Sequence, residues 1–159
     1  MTCCVHSVNC KIDVESHTFA TTADSHIALN GRRVLDASYF KHGGRGVTVA
    51  TINPVSCTGS GFVTFDTHGN SGAGRDLSNY LSMIPNESIV VGATHDEPAR
   101  YLSPAIPELE TAGVHASDVG FRGTFAFVLQ KGYPMKTKYI KSARSAAQMS
   151  RLQARIFGM

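Results

Sequence analysis

Residues 43–69 read GGRGVTVATINPVSCTGSGFVTFDTHG. Two apolar runs, 47–52 and 62–65, flank a turn-rich segment that holds Asn53, Pro54, Gly59, Ser60 and Gly61. Branched Val, Thr and Ile pack well on a pleated surface, so both runs read as strands. Alternation puts Val47, Val49 and Thr51 on one face and Thr48, Ala50 and Ile52 on the other. Both faces are mostly apolar, which makes the first run an inner strand. The second run leads directly into Asp66-Thr67-His68-Gly69, a polar cluster where a sheet end meets solvent. Side chains that bind tend to sit on such loops, held by a rigid scaffold.

Working outward, Asn30-Gly31 tolerates positive φ and marks a tight turn between residues 26–29 and 33–35. Ile12, Val14 and residues 17–20 are short extended candidates. Leu77, Tyr80, Leu81 and Ile84 recur at helical spacing and predict a helix over 75–84. Residues 88–93 and 124–129 are buried strands. Ser103 and Pro104 open a second helix that carries Ile106, Leu109 and Ala112 and stops at Gly113. Pro107, near its first turn, weakens it. Ile140, Ala143, Ala147, Leu152 and Ile156 predict one stripe of a basic C-terminal helix.

The chain has 159 residues, 42% of them apolar, with 15 glycines and no tryptophan. That is enough for one domain with a real core. The expected fold is α+β: a compact β-sandwich of mainly antiparallel strands with two or three helices packed on it. Residues 1–159 form a single domain, with a Cys-rich arm at 1–10 and a basic helix or tail at 136–159. No run of about 18 apolar residues is present, so no helical membrane span is expected. The start, MTCCVHSVNC, lacks a basic segment followed by an apolar one. The chain is either cytosolic or secreted with its signal removed.

Cysteine usage favours the second. Cys3, Cys4 and Cys10 crowd the first ten residues, with Cys57 far off. Their spacing, with His6 and His17, fits no usual zinc knuckle. Cysteines pinning an N-terminal arm suit an oxidising compartment. Four cysteines allow three full pairings, and the sequence does not choose. A bond to a second chain is one outcome. Asn86-Glu87-Ser88 is a glycosylation sequon, in line with secretion.

Charge is uneven. Eight basic residues and no acidic ones follow Asp118, while residues 1–118 hold 7 basic against 12 acidic. The basic end lies over the acidic body, or it binds an anionic surface. Nucleic acid is the least favoured partner.

Several short motifs, taken in order, carry a resemblance. They are Gly44-Arg45-Gly46-Val47 with Val49-Ala50, Phe65-Asp66-Thr67 with Gly69, and residues 81–84 with Ile89-Val90. Asp96-Glu97 with Ala99-Arg100 and Leu102 follows, then Gly120-Phe121-Arg122, residues 125–128 and Lys131-Gly132. Together they resemble the GG domain of the interleukin-like EMT inducer family over about residues 4–141. The resemblance implies a β-sandwich with packed helices in a secreted or lumenal setting. It also implies one of several roles: cytokine-like ligand, module of a hyaluronan-handling protein, or sugar-binding domain. The last is the case in the stem of a protein O-mannose N-acetylglucosaminyltransferase, and stand-alone marine-invertebrate lectins are a further possibility. Cys4 and Cys10 match two family cysteines in spacing. The family partners of those two are missing here, which leaves Cys57 as an outlier.

Candidate binding residues are Asp96, Glu97, Arg122, Asp66 and His68. Carboxylates accept from paired sugar hydroxyls and arginine offers a rigid fork of donors. The resemblance implies that Asp96 and Arg122 match the sugar contacts of the stem domain. The competing reading is a structural ion pair between these two. Asp66 and His68 form the other strand-end cluster, where Asp66 caps a turn or joins loop carbonyls to hold Ca2+. Arg45 is expected to pair inside the fold. Gly43-Gly44-Arg45-Gly46 lacks the Lys-Ser/Thr end of a phosphate loop and is read as a bend. Neither G-x-S-x-G nor H-E-x-x-H occurs, so no enzyme is expected. The leading expectation is a secreted lectin for a terminal hexose such as β-galactose or N-acetylglucosamine, as a disulfide-linked homodimer with a glycan partner. The alternatives are a cytokine-like signalling ligand and a binder of anionic surfaces.

Overall fold

The computed structural model describes residues 9–18, 25–41, 43–142 and 149–157. In chain order the elements are β1 (Asn9–His17), β2 (His26–Leu29), β3 (Arg32–Leu35), α1 (Ala37–Lys41), β4 (Gly46–Asn53) and β5 (Thr58–Phe65). Next come α2 (Ala73–Met83), β6 (Ile89–His95), α3 (Ile106–Thr111) after a 3-10 turn at Ser103–Ala105, β7 (Thr124–Gln130), β8 (Lys138–Ser142) and β9 (Met149–Phe157).

β4 is the inner strand its pattern predicts, antiparallel to β5 on one side and to β6 on the other. Its alternation divides the interior. Val47 and Val49 enter the core shared with Leu77 and Leu81 of α2 and Leu109 of α3. Ala50 and Ile52 enter a second core with Ile12, Val14 and Ile27 on the other side. β5 starts earlier than its apolar run, at Thr58, because Gly61 (φ 64°) takes up a register shift opposite β4. At Asn30 (φ 49°) and Gly31 (φ 78°) the chain makes the tight turn that joins β2 to β3.

The strands among the described residues form one mixed sheet. One part runs β5-β4-β6-β7-β8 and the other β3-β2-β1-β9, and they join where His17 pairs with His95 in parallel. Residues of both parts share the second core. The α+β expectation therefore holds in its coarse form, with hydrogen bonding continuous across the sheet. The joint is reinforced by buried hydroxyls. Thr94 N–H donates to Ser16 Oγ (2.8 Å), which donates to Phe125 O (2.8 Å), and Ser25 Oγ donates to Thr94 O (3.0 Å).

The expected basic C-terminal helix is corrected where the chain is described: Lys138–Ser142 and Met149–Phe157 are strands β8 and β9, while Ala143 and Ala147 lie outside the described residues. Leu152 and Ile156 satisfy a helical period, yet Leu152, Ala154 and Ile156 also alternate, and these three pack against the second core. The nine-residue ladder between β1 and β9 decides for the strand. The basic end does lie over the acidic body: Arg151 pairs with Asp13 (2.9 Å) and Lys141 with Asp118 (2.6 Å). Cys10 bonds Cys57 within the chain, which ties β1 to the β4–β5 loop. The disulfide is thus intrachain, not the joint of a dimer. Cys3 and Cys4 lie outside the described residues. No helix among the described residues is long and apolar enough to cross a membrane.

Candidate functional site

One end of the sheet gathers four chain segments. Val47 faces Phe65 and Gly46 faces His95, so β4 begins where β5 and β6 end. β7 begins beside the same end, with Ala126 opposite Ala93. Arg45, the 66–69 turn, the 96–100 loop and the 120–123 turn therefore meet at one edge. The two strand-end clusters expected from the sequence are one cluster.

Glu97 organises it. The residue is 1% exposed. Its Oε1 accepts from the backbone N–H of Ala99 (2.8 Å) and of Arg122 (3.3 Å). Its Oε2 accepts from Arg100 N–H (3.2 Å) and His68 Nδ1 (2.8 Å). A buried carboxylate persists only where such donors replace water. Glu97 thus joins three loops from the inside and turns no free oxygen to a ligand.

Asp66 is also occupied. Arg45 donates to it through Nε (3.0 Å) and Nη2 (2.7 Å). The N–H groups of Gly69 (2.8 Å) and His68 (3.3 Å) donate to its Oδ1, which closes an Asx turn. The bidentate Arg45 hydrogen bonds hold the Asp66 carboxyl below its ordinary pKa, against the opposing effect of burial. The same bonds raise the Arg45 guanidinium, with smaller support from the charges of Asp66, Asp96 and Glu97. Arg45 thus pairs, but at the surface rather than inside the fold, and Asp66 takes the capping role.

Asp96 and Arg122 differ from these. Both are non-glycine residues in the left-handed region, at φ 60° and 56°. Such positions are strained and cluster at ligand clamps. Asp96 N–H donates to His17 O (3.0 Å), which fixes its backbone across the β1–β6 joint. The Arg122 guanidinium lies 5.3 Å from the ring centroid of Phe121, itself 60% exposed. Its Nε is buried without a hydrogen-bond partner. Among the described residues no ion pair joins Asp96 to Arg122, so the structural-pair reading is not realised. Arg100, which composition and spacing do not mark, stands nearby with its guanidinium 5.0 Å from the Tyr101 ring centroid. Its place in the motif of Asp96-Glu97 with Ala99-Arg100 was the available signal.

Fold and site together define a mixed-sheet module whose strand-end loops are clamped by one internal carboxylate. The profile of the Interleukin-like EMT inducer family matches residues 45–133, from Arg45 through every residue of this corner. The chain belongs to that family. It is similar to "Protein FAM3D" of Mus musculus, 31% identical over 98 residues, covering 60% of this chain and 43% of that protein. It is also similar to the "Cell migration-inducing and hyaluronan-binding protein" of Homo sapiens, 33% identical over 94 residues, covering 58% of this chain and 7% of that protein. The chain spans less than half the length of either relative. Cys10, β1 to β3, β8 and β9 lie outside the matched stretch.

Proposed function

We propose that the chain acts outside the cell as a cytokine-like signalling ligand that docks on a protein receptor. The observation that carries this reading is membership of the Interleukin-like EMT inducer family through a stretch that includes the whole strand-end corner. The Cys10–Cys57 bond supports an oxidising, extracellular setting. The corner itself supports docking over chemistry: its most buried carboxylate is spent internally, while Phe121 and Arg100 stand exposed. Aromatic and arginine side chains are the usual anchors of a protein interface.

Glycan recognition is the second reading, and one observation favours it. Arg122 keeps a buried, unpartnered Nε, and among the described residues the Asp96 carboxylate makes no hydrogen bond. A hydroxyl-rich ligand would supply the missing partners. A similar protein carries "hyaluronan-binding" in its name, which adds weight to this reading.

Labelled protein on cultured cells separates the two. A receptor ligand loses binding when the cell surface is treated with protease and keeps it after enzymatic removal of glycans. The lectin reverses that pattern, and its array hits vanish in Asp96→Ala and Arg122→Ala. Binding that survives both treatments and is abolished by heparin would overturn both readings and point to an anionic surface.

A further inference from the structure

Far from the 120–123 turn in sequence, β1 carries a second polar group on its outward face. Asp13, Glu15 and His17 alternate along the strand. Glu15 lies opposite His26 of β2 on one side and Arg151 of β9 on the other. One ligand atom each from Asp13, Glu15 and His26 falls within 4.8 Å of the others. Two acidic side chains near a histidine are common and prove nothing. What singles this group out is the imidazole. His26 is 6% exposed, and its Nδ1 is buried with no hydrogen-bond partner. That nitrogen lies 3.7 Å from Glu15 Oε2.

This separation is too long for a hydrogen bond. It is close to what two ligands of one metal ion require: bonds of about 2.0–2.2 Å in a tetrahedron put neighbouring donors roughly 3.4 Å apart. An orphaned buried nitrogen is costly in an apolar setting, and a bound cation removes that cost. The neighbouring contacts position the rest. His17 Nε2 lies 3.0 Å from Glu15 Oε2 and fixes that carboxylate, as outer partners of metal ligands do. All the donors stand on paired strands, which hold geometry better than loops.

The geometry points to a divalent metal site formed by Asp13, Glu15 and the Nδ1 of His26. Its occupant is an ion of the zinc type, because imidazole with carboxylates suits that class, whereas Ca2+ and Mg2+ prefer oxygen alone. Arg151 is the rival cation. Its guanidinium reaches Asp13 Oδ2 through Nη2 (2.9 Å) and Glu15 Oε1 through Nε (3.3 Å). The Arg151 side chain is 48% exposed, so it can swing into solvent when the ion enters. The site thus has two states, closed by arginine or by metal, and each fastens β1 to a neighbouring strand.

The test is calorimetric titration of the full chain with ZnCl2, on a Cys3→Ser/Cys4→Ser background that removes competing thiols. One ion binds per chain. Asp13→Asn and His26→Ala each weaken binding at least tenfold, while His115→Ala leaves it unchanged. Arg151→Gln tightens it about tenfold, because the resident cation is gone. That gain separates a metal site from an ion-pair network, in which Arg151→Gln adds nothing. Circular dichroism of each variant identifies any that fail to fold, and Asp13→Asn, on the half-buried strand face, then stands in for His26→Ala. No saturable binding, full affinity in folded Asp13→Asn, or no gain in Arg151→Gln would overturn the proposal.

Discussion

Glu97→Gln tests whether this corner is held by a charge or merely by shape. The wild-type carboxylate has two acceptor oxygens, and each already takes two N–H donors: Ala99 and Arg122 on Oε1, Arg100 and His68 on Oε2. Glutamine keeps the volume and one oxygen. Turned toward Ala99 and Arg122, its amide nitrogen faces two backbone donors; turned the other way it faces Arg100 N–H alone, because His68 Nδ1 can change tautomer and accept, so at least one hydrogen bond becomes a donor–donor contact in a site 1% exposed. Hydrogen bonds to a charged group contribute about 1.5–3 kcal/mol each, and an orphaned buried donor costs about 1–3 kcal/mol. Neighbouring losses do not add fully, since His68 is partly exposed and can turn to water. A net loss of about 3–4 kcal/mol follows for Glu97→Gln, and Glu97→Ala falls within about 1 kcal/mol of it. In a domain of this size each kcal/mol moves Tm by about 2–4 °C, so both variants melt roughly 10 °C low. Urea unfolding followed by fluorescence and by far-UV circular dichroism gives the free energies. A glutamine variant within about 2 °C of wild type would show that Glu97 fills space and that its charge does nothing for the three loops.

Further outcomes follow from other parts of the chain. Cys10→Ser/Cys57→Ser opens a closure spanning 47 residues, and chain entropy sets the loss near 4 kcal/mol, read as a lower urea midpoint. Gly46→Ala loses about 2 kcal/mol or more, because φ is +103° there and a new Cβ would overlap the Phe65 carbonyl oxygen and the Thr67 nitrogen; a Tm equal to wild type would count against it. Asp66 and Asp13 have carboxyls held low by hydrogen bonds from Arg45 and Arg151 respectively. Their folded values lie below the unfolded ones, so their contributions are whole above about pH 4 and fade as pH falls through the folded values. Arg45→Met and Arg151→Met should therefore flatten the fall in Tm between pH 6 and pH 3, and an unchanged acid limb would refute the pairing. The effect is small for Arg45–Asp66, whose side chains are 41% and 39% exposed.

The core was readable because it obeys periods. Val47, Val49, Ala50 and Ile52 alternate, Leu77 and Leu81 sit one turn apart, and each group fills the face its period assigns. Asn30-Gly31 announced its hairpin, since only the turn needs two positive φ angles there. In the C-terminal segment two periods fit the same apolar residues, and only a distant strand chooses between them. Cys57 looked stray for the same reason. Its partner is fixed by where β1 crosses the β4–β5 loop, a fact of topology with no local trace. At the site, residue types were legible and roles were not. Asp66, His68, Asp96, Glu97 and Arg122 do reach one edge of the sheet, yet nothing local says that Glu97 faces inward while Asp96 does not.

Glu97 and its neighbours differ in what backbone strain asks of them. Left-handed backbone costs a residue such as arginine about 1–2 kcal/mol, while glycine bears it freely. Glycine stands on each side, at Gly120 and Gly123, but not at Arg122 itself. If the turn served folding alone, Arg122→Gly would relax it at no functional loss. The variant is expected to keep Tm within about 2 °C of wild type, strain relief being offset by the freer unfolded chain. On the glycan reading it should also lose the array hits, as Arg122→Ala does. Binding that persists in Arg122→Gly would mean that the guanidinium beside Phe121 is not the contact for which the strained turn is held.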